Sequence, residues 1–461
     1  SLVLPMKGRT VIDRRKFLLR SLAAGVGLGI GGAATPEWFT RRVLAGGTPT
    51  NAKLITIFLR GGNDSVNTVI PRGDSFYSAA NRPNLFIAEA DAINTGNGFA
   101  QLHPSRNPMM EVFNHTSLNG VAGPGNLAVV QRVGYQNLTR SHFSGQLFWE
   151  TGKPGEDTCR EGMLYRKLAA NLDLGVEPLV AAAVDSSLPI AFQGEIPVPA
   201  FPSSDDYAFP GTPEDIAHFL GDLPTTPGGT DGNGFYGLYG GPEDAPGKPY
   251  RSLLHATGVQ LGQSIDVVQD ALAQGPYTPE NGAVYPAGTL GTRLTEAAML
   301  LKRTPVRVLG LNHGSFDTHT NQAAGHAGLL GDLAQGIQAL SRDLQAQWGD
   351  VVIVVMSEFG RTSLQNGSGG TDHGAAGTMF LAGGSVVGGV YNCDSTTWAD
   401  GDLLSDNNRY VAHRSDFRSI FGELFTGHFG DNQALVDQII PGYSAAALAD
   451  PTGFAPLGLF V

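Results

Sequence analysis

Two cysteines, Cys159 and Cys393, are all that 461 residues contain. They permit one disulfide and exclude a zinc or iron–sulfur site built on thiolates. Basic residues are scarce as well, with 30 Lys and Arg against 42 Asp and Glu and a formal net charge of −12. A nucleic-acid binder needs a basic surface to meet phosphates, so that partner class is set aside. Past the N-terminal region no apolar run approaches the length of a bilayer span. Gly (63) and Pro (28) are plentiful but follow no G-X-Y period, which excludes collagen. A hydrophobic content of 41% supports a large core and excludes a disordered chain. Many ordered loops over a compact scaffold are expected.

The N-terminal region reads Asp13-Arg14-Arg15-Lys16-Phe17-Leu18, then an apolar, glycine-rich stretch to Ala34 broken by Arg20, then Val43-Leu44-Ala45. This is the order of an export signal with the paired arginines of the twin-arginine route. Residues 1–45 are therefore expected to be a signal for the twin-arginine export machinery, and the protein periplasmic or secreted. Residues 46–461 are expected to form one domain. Residues 1–45 hold eight of the basic and two of the acidic residues, so without them the formal charge falls to −18. A bound divalent cation would offset part of that.

Short apolar, β-branched runs mark buried strands at Leu54–Leu59, Leu127–Val130, Val306–Leu311, Val351–Met356 and Thr378–Ala382. Strands apolar on both faces belong to a parallel sheet covered by helices. The stripe Leu329, Leu330, Leu333, Ile337, Leu340, Leu344 and Trp348 gives a helix between the third and fourth strands, hence a βαβ unit. Further helices are expected over 143–151, 252–273, 290–303 and 416–425. The stretch 153–300 is rich in Pro, Gly, Ser and Asp in its middle and reads as an insertion capping the sheet's edge. The fold class is α/β with a mostly parallel central sheet.

The polar residues of interest follow strands, where open α/β sheets place their binding crevice. Asp64 follows the first strand, Ser141 and His142 the second, Asp317 and His319 the third, and Glu358 the fourth, while Asp372 and His373 precede the fifth. Carboxylates and imidazoles together suit zinc, manganese or iron better than magnesium or calcium. Each residue also has an ordinary use. Asp64 suits a helix cap, Glu358 an ion pair with Arg361, Ser141 a cap or turn, and His142 a ligand, a base or a core position.

The order Gly61-Gly62-Asn63-Asp64, Ser141-His142-Phe143, Phe316-Asp317-Thr318-His319-Thr320-Asn321-Gln322, Ser357-Glu358-Phe359-Gly360-Arg361-Thr362 and Asp372-His373-Gly374 resembles the exported bacterial family known as DUF1501. That family is in turn similar to the alkaline phosphatase and sulfatase superfamily, which hydrolyses phosphate or sulfate esters with one or two metals and a hydroxyl nucleophile. The resemblance implies an alkaline-phosphatase-like three-layer sandwich. It implies Asp64, Asp317, His319, Glu358 and His373 as metal ligands; ligand type and placement add Asp372 and favour zinc or manganese. It puts the nucleophile near Thr139 to His142, with Ser141 preferred and His142 or Thr139 as alternatives. Arg361 or Arg140 is left to pair with ester oxygens. The substrate implied is a small anionic ester or a surface glycan. Two departures stand out: Phe359 sits where the superfamily has a second histidine ligand, and no Cys/Ser-x-Pro-x-Arg sequence of formylglycine sulfatases occurs. A non-catalytic exported binding or assembly protein on the same scaffold is the alternative function.

Overall fold

The computed structural model describes residues 51–114, 125–172, 174, 177–222, 232–239 and 251–461. The expected export signal at 1–45 and part of the glycine-rich loop at 228–234 lie outside the described residues. Among the described residues no helix is long and apolar enough to cross a membrane.

Eight strands build the main sheet: β1 (Lys53–Leu59), β2 (Leu127–Gly134), β3 (Ala181–Ala183), β4 (Val308–His313), β5 (Val351–Ser357), β6 (Gly377–Gly383), β7 (Gly389–Tyr391) and β8 (Ser415–Asp416). Their order is β7-β2-β6-β5-β1-β4-β3, with β8 also paired to β2. All pairings are parallel except the two made by β6, which runs against both β5 and β2. β1, β2, β5 and β6 are buried along their whole length apart from Lys53, as their unbroken apolar runs require.

The five expected strands are present within a few residues of their expected bounds. β3 was not expected: three alanines carry no β-branched signal, yet they pair with Val308–Gly310 of β4. The stretch 153–300 thus completes one edge of the sheet as well as lying over it. Pro199 and Phe201 continue that edge, where Ala183 N–H donates to Pro199 O at 2.8 Å and Phe201 N–H to Ala183 O at 3.0 Å. A proline there blunts an edge that would otherwise offer unpaired N–H groups.

The helices used below are α1 (His142–Thr151), α2 (Thr289–Arg303) and α3 (Gln322–Asp343). α3 buries Leu330, Leu333, Ile337 and Leu340 against the core shared with β1, β4 and β5, as the leucine stripe demands. Its neighbour α2 contributes Leu294, Ala297 and Leu301 to that same core. Cys159 and Cys393 are both free, so no disulfide joins them.

Candidate metal centre

Four strand ends converge on one edge. β1, β2, β4 and β5 are mutually parallel, so the loops after them open on the same side. Because β6 is reversed, its leading residues Asp372 and His373 reach that side too. The chain after β5 and the chain before β6 run side by side there: Gly360 N–H donates to Ala375 O and Gly374 N–H to Gly360 O, both at 2.8 Å. The loop after β1 is a close approach that only glycine permits. Gly61 (φ +120°) and Gly62 (φ +80°) both lie in the left-handed region, and a Cβ on Gly62 would fall 2.4 Å from the Phe359 ring.

On this edge His142, Asp317 and His373 offer ligand atoms that all lie within 4.8 Å of one another. His319 joins them, its Nε2 being 3.0 Å from Asp317 Oδ1 and 3.1 Å from His373 Nε2. His373 Nε2 is 3.2 Å from the same carboxylate oxygen, and His142 Nε2 is 3.5 Å from Asp317 Oδ2.

Each imidazole is held from behind by an acceptor on Nδ1. For His142 it is Glu358 Oε1 at 2.8 Å, for His319 Asp372 Oδ1 at 3.3 Å, and for His373 the Arg140 carbonyl at 2.8 Å. An acceptor on Nδ1 puts the ring proton there and leaves the Nε2 lone pair facing inward. Three lone pairs then face one carboxylate; Arg361 meets part of this set, donating to Asp317 Oδ1 at 2.5 Å with Nη1 3.5 Å from His319 Nε2, but among the described residues no donor reaches the buried His142 Nε2. A proton on His142 Nε2 would supply one positive charge, but His319 and His373, whose Nε2 atoms stand 3.1 Å apart, cannot both be imidazoliums. One divalent ion satisfies all four groups, and the carboxylate or carbonyl behind each histidine is the arrangement that orients ligating imidazoles. The residues present therefore fit a zinc-type or manganese-type site.

The electrostatics agree with a fixed arrangement. The Glu358 hydrogen bond holds the His142 pKa above its ordinary value, with burial opposing it. Burial raises the carboxyl of Asp317, but Arg361, His319 and His142 outweigh it and the pKa is lowered. Glu358 is likewise held low despite burial, by His142 and Gln146 among others.

Several expected residues take other roles. Asp64 is not in the cluster. It is fully buried, ion-paired with Arg82, and accepts from Gln322 Nε2 at 2.5 Å and from Asn67 N at 3.2 Å, so it caps the turn Ser65–Thr68. Its pKa is lowered: burial opposes, and Arg82 leads the groups that outweigh it. Glu358 is wholly enclosed and spends Oε1 on Gly61 N (2.9 Å), His142 and Gln146 Nε2 (2.9 Å), so it holds His142 in place and does not itself face the cluster. Asp372 likewise stands behind His319.

Arg361 is enclosed as well. It donates to the carbonyls of Gly61, Gly62 (2.7 Å), Phe316 (3.0 Å) and Thr371 (3.0 Å) and to Asp317 Oδ1 (2.5 Å). It clamps three loops and is not available as a fork for substrate. Ser141 is exposed, and its Oγ accepts from Ser144 N at 3.4 Å as the N-cap of α1. Phe359 is buried, with the rings of His142 and His373 each 4.9 Å from its centroid, so it walls that side of the cluster with apolar bulk. The promotion of His142 to the cluster had one sequence signal, its position at the end of β2.

No curated protein matches the chain. Residues 266–428, which carry Asp317, His319, Glu358, Asp372 and His373, match the model of a family described as a protein of unknown function (DUF1501), and this supports that family for the chain.

Proposed function

We propose that this chain is an exported metal-dependent hydrolase of phosphate or sulfate esters in an alkaline-phosphatase-like arrangement. One zinc or manganese ion is held by His142, Asp317, His319 and His373. The observation that carries this reading is the three Nε2 atoms turned on one carboxylate, each ring held by an oxygen at Nδ1. In the same reading residues 1–45 take the chain through the twin-arginine machinery. The substrate is a small anionic ester or a surface glycan that carries one.

A bound ion of this kind supplies Lewis acidity, which lowers the pKa of water and neutralises ester oxygens. The chain's own groups do the rest. Glu358 keeps the proton of His142 on Nδ1. Asp372 and the Arg140 carbonyl do the same for His319 and His373. Arg361 fixes Asp317 Oδ1. Phe359 restricts the centre to a single ion. Asp317 and His319 are 47% and 42% exposed, so an ester can reach them.

Purified protein is expected to carry about one equivalent of zinc or manganese by elemental analysis, and Asp317→Ala to lose it while remaining folded. Wild-type protein without a transition metal after incubation with both ions would refute the centre. Glu358→Gln keeps the shape but weakens the acceptor behind His142. It is expected to lower metal affinity about 10- to 100-fold, read by competition with a chelating dye. An unchanged affinity would show that the Nδ1 partner is irrelevant.

One observation favours the second reading, a metal-holding protein without turnover. Both candidate hydroxyls are engaged in local turns: Ser141 Oγ caps Ser144, and Thr139 Oγ1 accepts from Ser141 N at 3.2 Å. A screen with 4-nitrophenyl phosphate and 4-nitrophenyl sulfate on metal-loaded protein decides between them. Hydrolysis that disappears with Asp317→Ala supports the enzyme, and its absence with metal bound supports the binding protein.

A further inference from the structure

With Arg361 enclosed, the anion-binding task falls to other cations, and two are linked to the histidines of the centre. Arg140 precedes α1 and Arg409 belongs to the loop 406–410. Both guanidiniums lie over the ring of Tyr410, at 4.0 and 5.6 Å from its centroid. Each is tied to a different histidine of the centre. The Arg140 carbonyl takes His373 Nδ1–H, and Arg409 donates to Asp372 Oδ2 at 3.1 Å, the carboxylate that holds His319 through Oδ1. Their side chains are 37% and 53% exposed.

The loop that presents Arg409 and Tyr410 is a built element. Asn407 and Asn408 both have left-handed backbone, φ 54° and 53°, and Arg409 N and Tyr410 N donate to Asp406 O at 3.1 and 3.0 Å. The Asp406 carboxylate reaches Arg140 Nη2 at 3.4 Å. Asp406 and Asp372 thus restrain the two guanidiniums through single contacts at partly exposed sites, of the kind that adds little stability.

We propose that Arg140 and Arg409 form a clamp, across the Tyr410 ring, for the tetrahedral oxyanion of the ester. A planar guanidinium matches two non-bridging oxygens of phosphate or sulfate. Stacking on an aromatic ring restrains that plane before the anion arrives. The inference rests on the metal-centre reading and gives it a recognition element that Arg361 cannot supply.

The test loads wild type, Arg140→Gln, Arg409→Gln, the double variant and Arg409→Lys with zinc. It measures zinc content by elemental analysis and binding of inorganic phosphate and of sulfate by calorimetry. Zinc is expected to remain, each single Gln variant to lose about 10-fold in anion affinity and the double about 100-fold. Arg409→Lys recovers part of the loss, and the anion bound tighter by wild type names the ester. Unchanged anion affinity in the zinc-replete double variant overturns the clamp and leaves the centre standing. So does a zinc-replete wild type that binds neither anion. A wild type that takes up no zinc overturns the centre and the clamp together. If Arg409→Gln sheds zinc, Arg140→Gln decides, because no side-chain atom of Arg140 holds a histidine.

Discussion

Arg82→Ala is expected to lower unfolding free energy by about 3–5 kcal/mol, the usual cost of stranding one member of a buried ion pair. Arg82 and Asp64 are both fully enclosed. Arg82 also donates to the Ser363 carbonyl at 2.8 Å, while among the described residues Asp64 has further donors only in Gln322 and the Asn67 backbone. Removing the guanidinium leaves a carboxylate in the interior with two hydrogen bonds and no counter-charge. Asp64→Asn in the same background removes that charge and is expected to recover part of the loss. Urea unfolding of the three proteins measures it. A loss below about 1 kcal/mol for Arg82→Ala would mean that Asp64 is not a buried anion, and a ligand role for it would reopen.

Acidification from pH 6.5 to pH 4 is expected to destabilise the protein by on the order of 5 kcal/mol. Burial pushes the pKa of His103 down to about 4, His326 to about 3 and His428 to about 4. All three are buried and locally bonded: His326 Nε2 meets Asn63 Oδ1 at 2.9 Å, His103 Nδ1 accepts from Ser105 N at 3.1 Å, and His428 Nε2 meets Lys53 O at 3.1 Å. In the unfolded chain these rings take protons near pH 6.5, whereas in the folded chain they stay neutral until about pH 4 or below. The unfolded state therefore binds more protons across this window, and stability falls as pH falls through it. His142 and Glu150, whose pKa values are raised, act in the opposite sense and offset a part. Thermal melts from pH 7 to pH 4 read the slope, and His326→Gln is expected to flatten it. Equal stability at pH 6.5 and pH 4.5 would show that these rings titrate normally.

Much of the scaffold was legible because buried strands write themselves as apolar runs. Val351–Met356 admits no other reading, and the residues after such runs were bound to lie at strand ends. Direction is not written there: nothing in Thr378–Ala382 says that β6 runs backwards, although its reversal brings His373 to the centre. Three alanines gave β3 no signal. Within the site, Asp317, His319 and His373 stand together as expected. That Asp64 stands apart from the cluster was not legible, and a ligand role for His142 was only one of three open readings, because both depend on partners. Asp64 is neutralised by Arg82 from a loop with no distinguishing pattern, and His142 is oriented by Glu358, 216 positions away. Arg361 looked like a substrate fork because an arginine beside a strand end does. Only the carbonyls of Gly61, Gly62, Phe316 and Thr371 reveal that its donors are already taken.

The reversed strand has a consequence for how the protein matures. His142 emerges early from the ribosome, Asp317 and His319 much later, and His373 only once the turn into β6 has been made. No partial chain holds the full set, so under the proposed metal-centre reading ion capture waits for near-complete synthesis and closure of the last inner strand. In that reading the metal would be the one supplied by the compartment in which the closure happens.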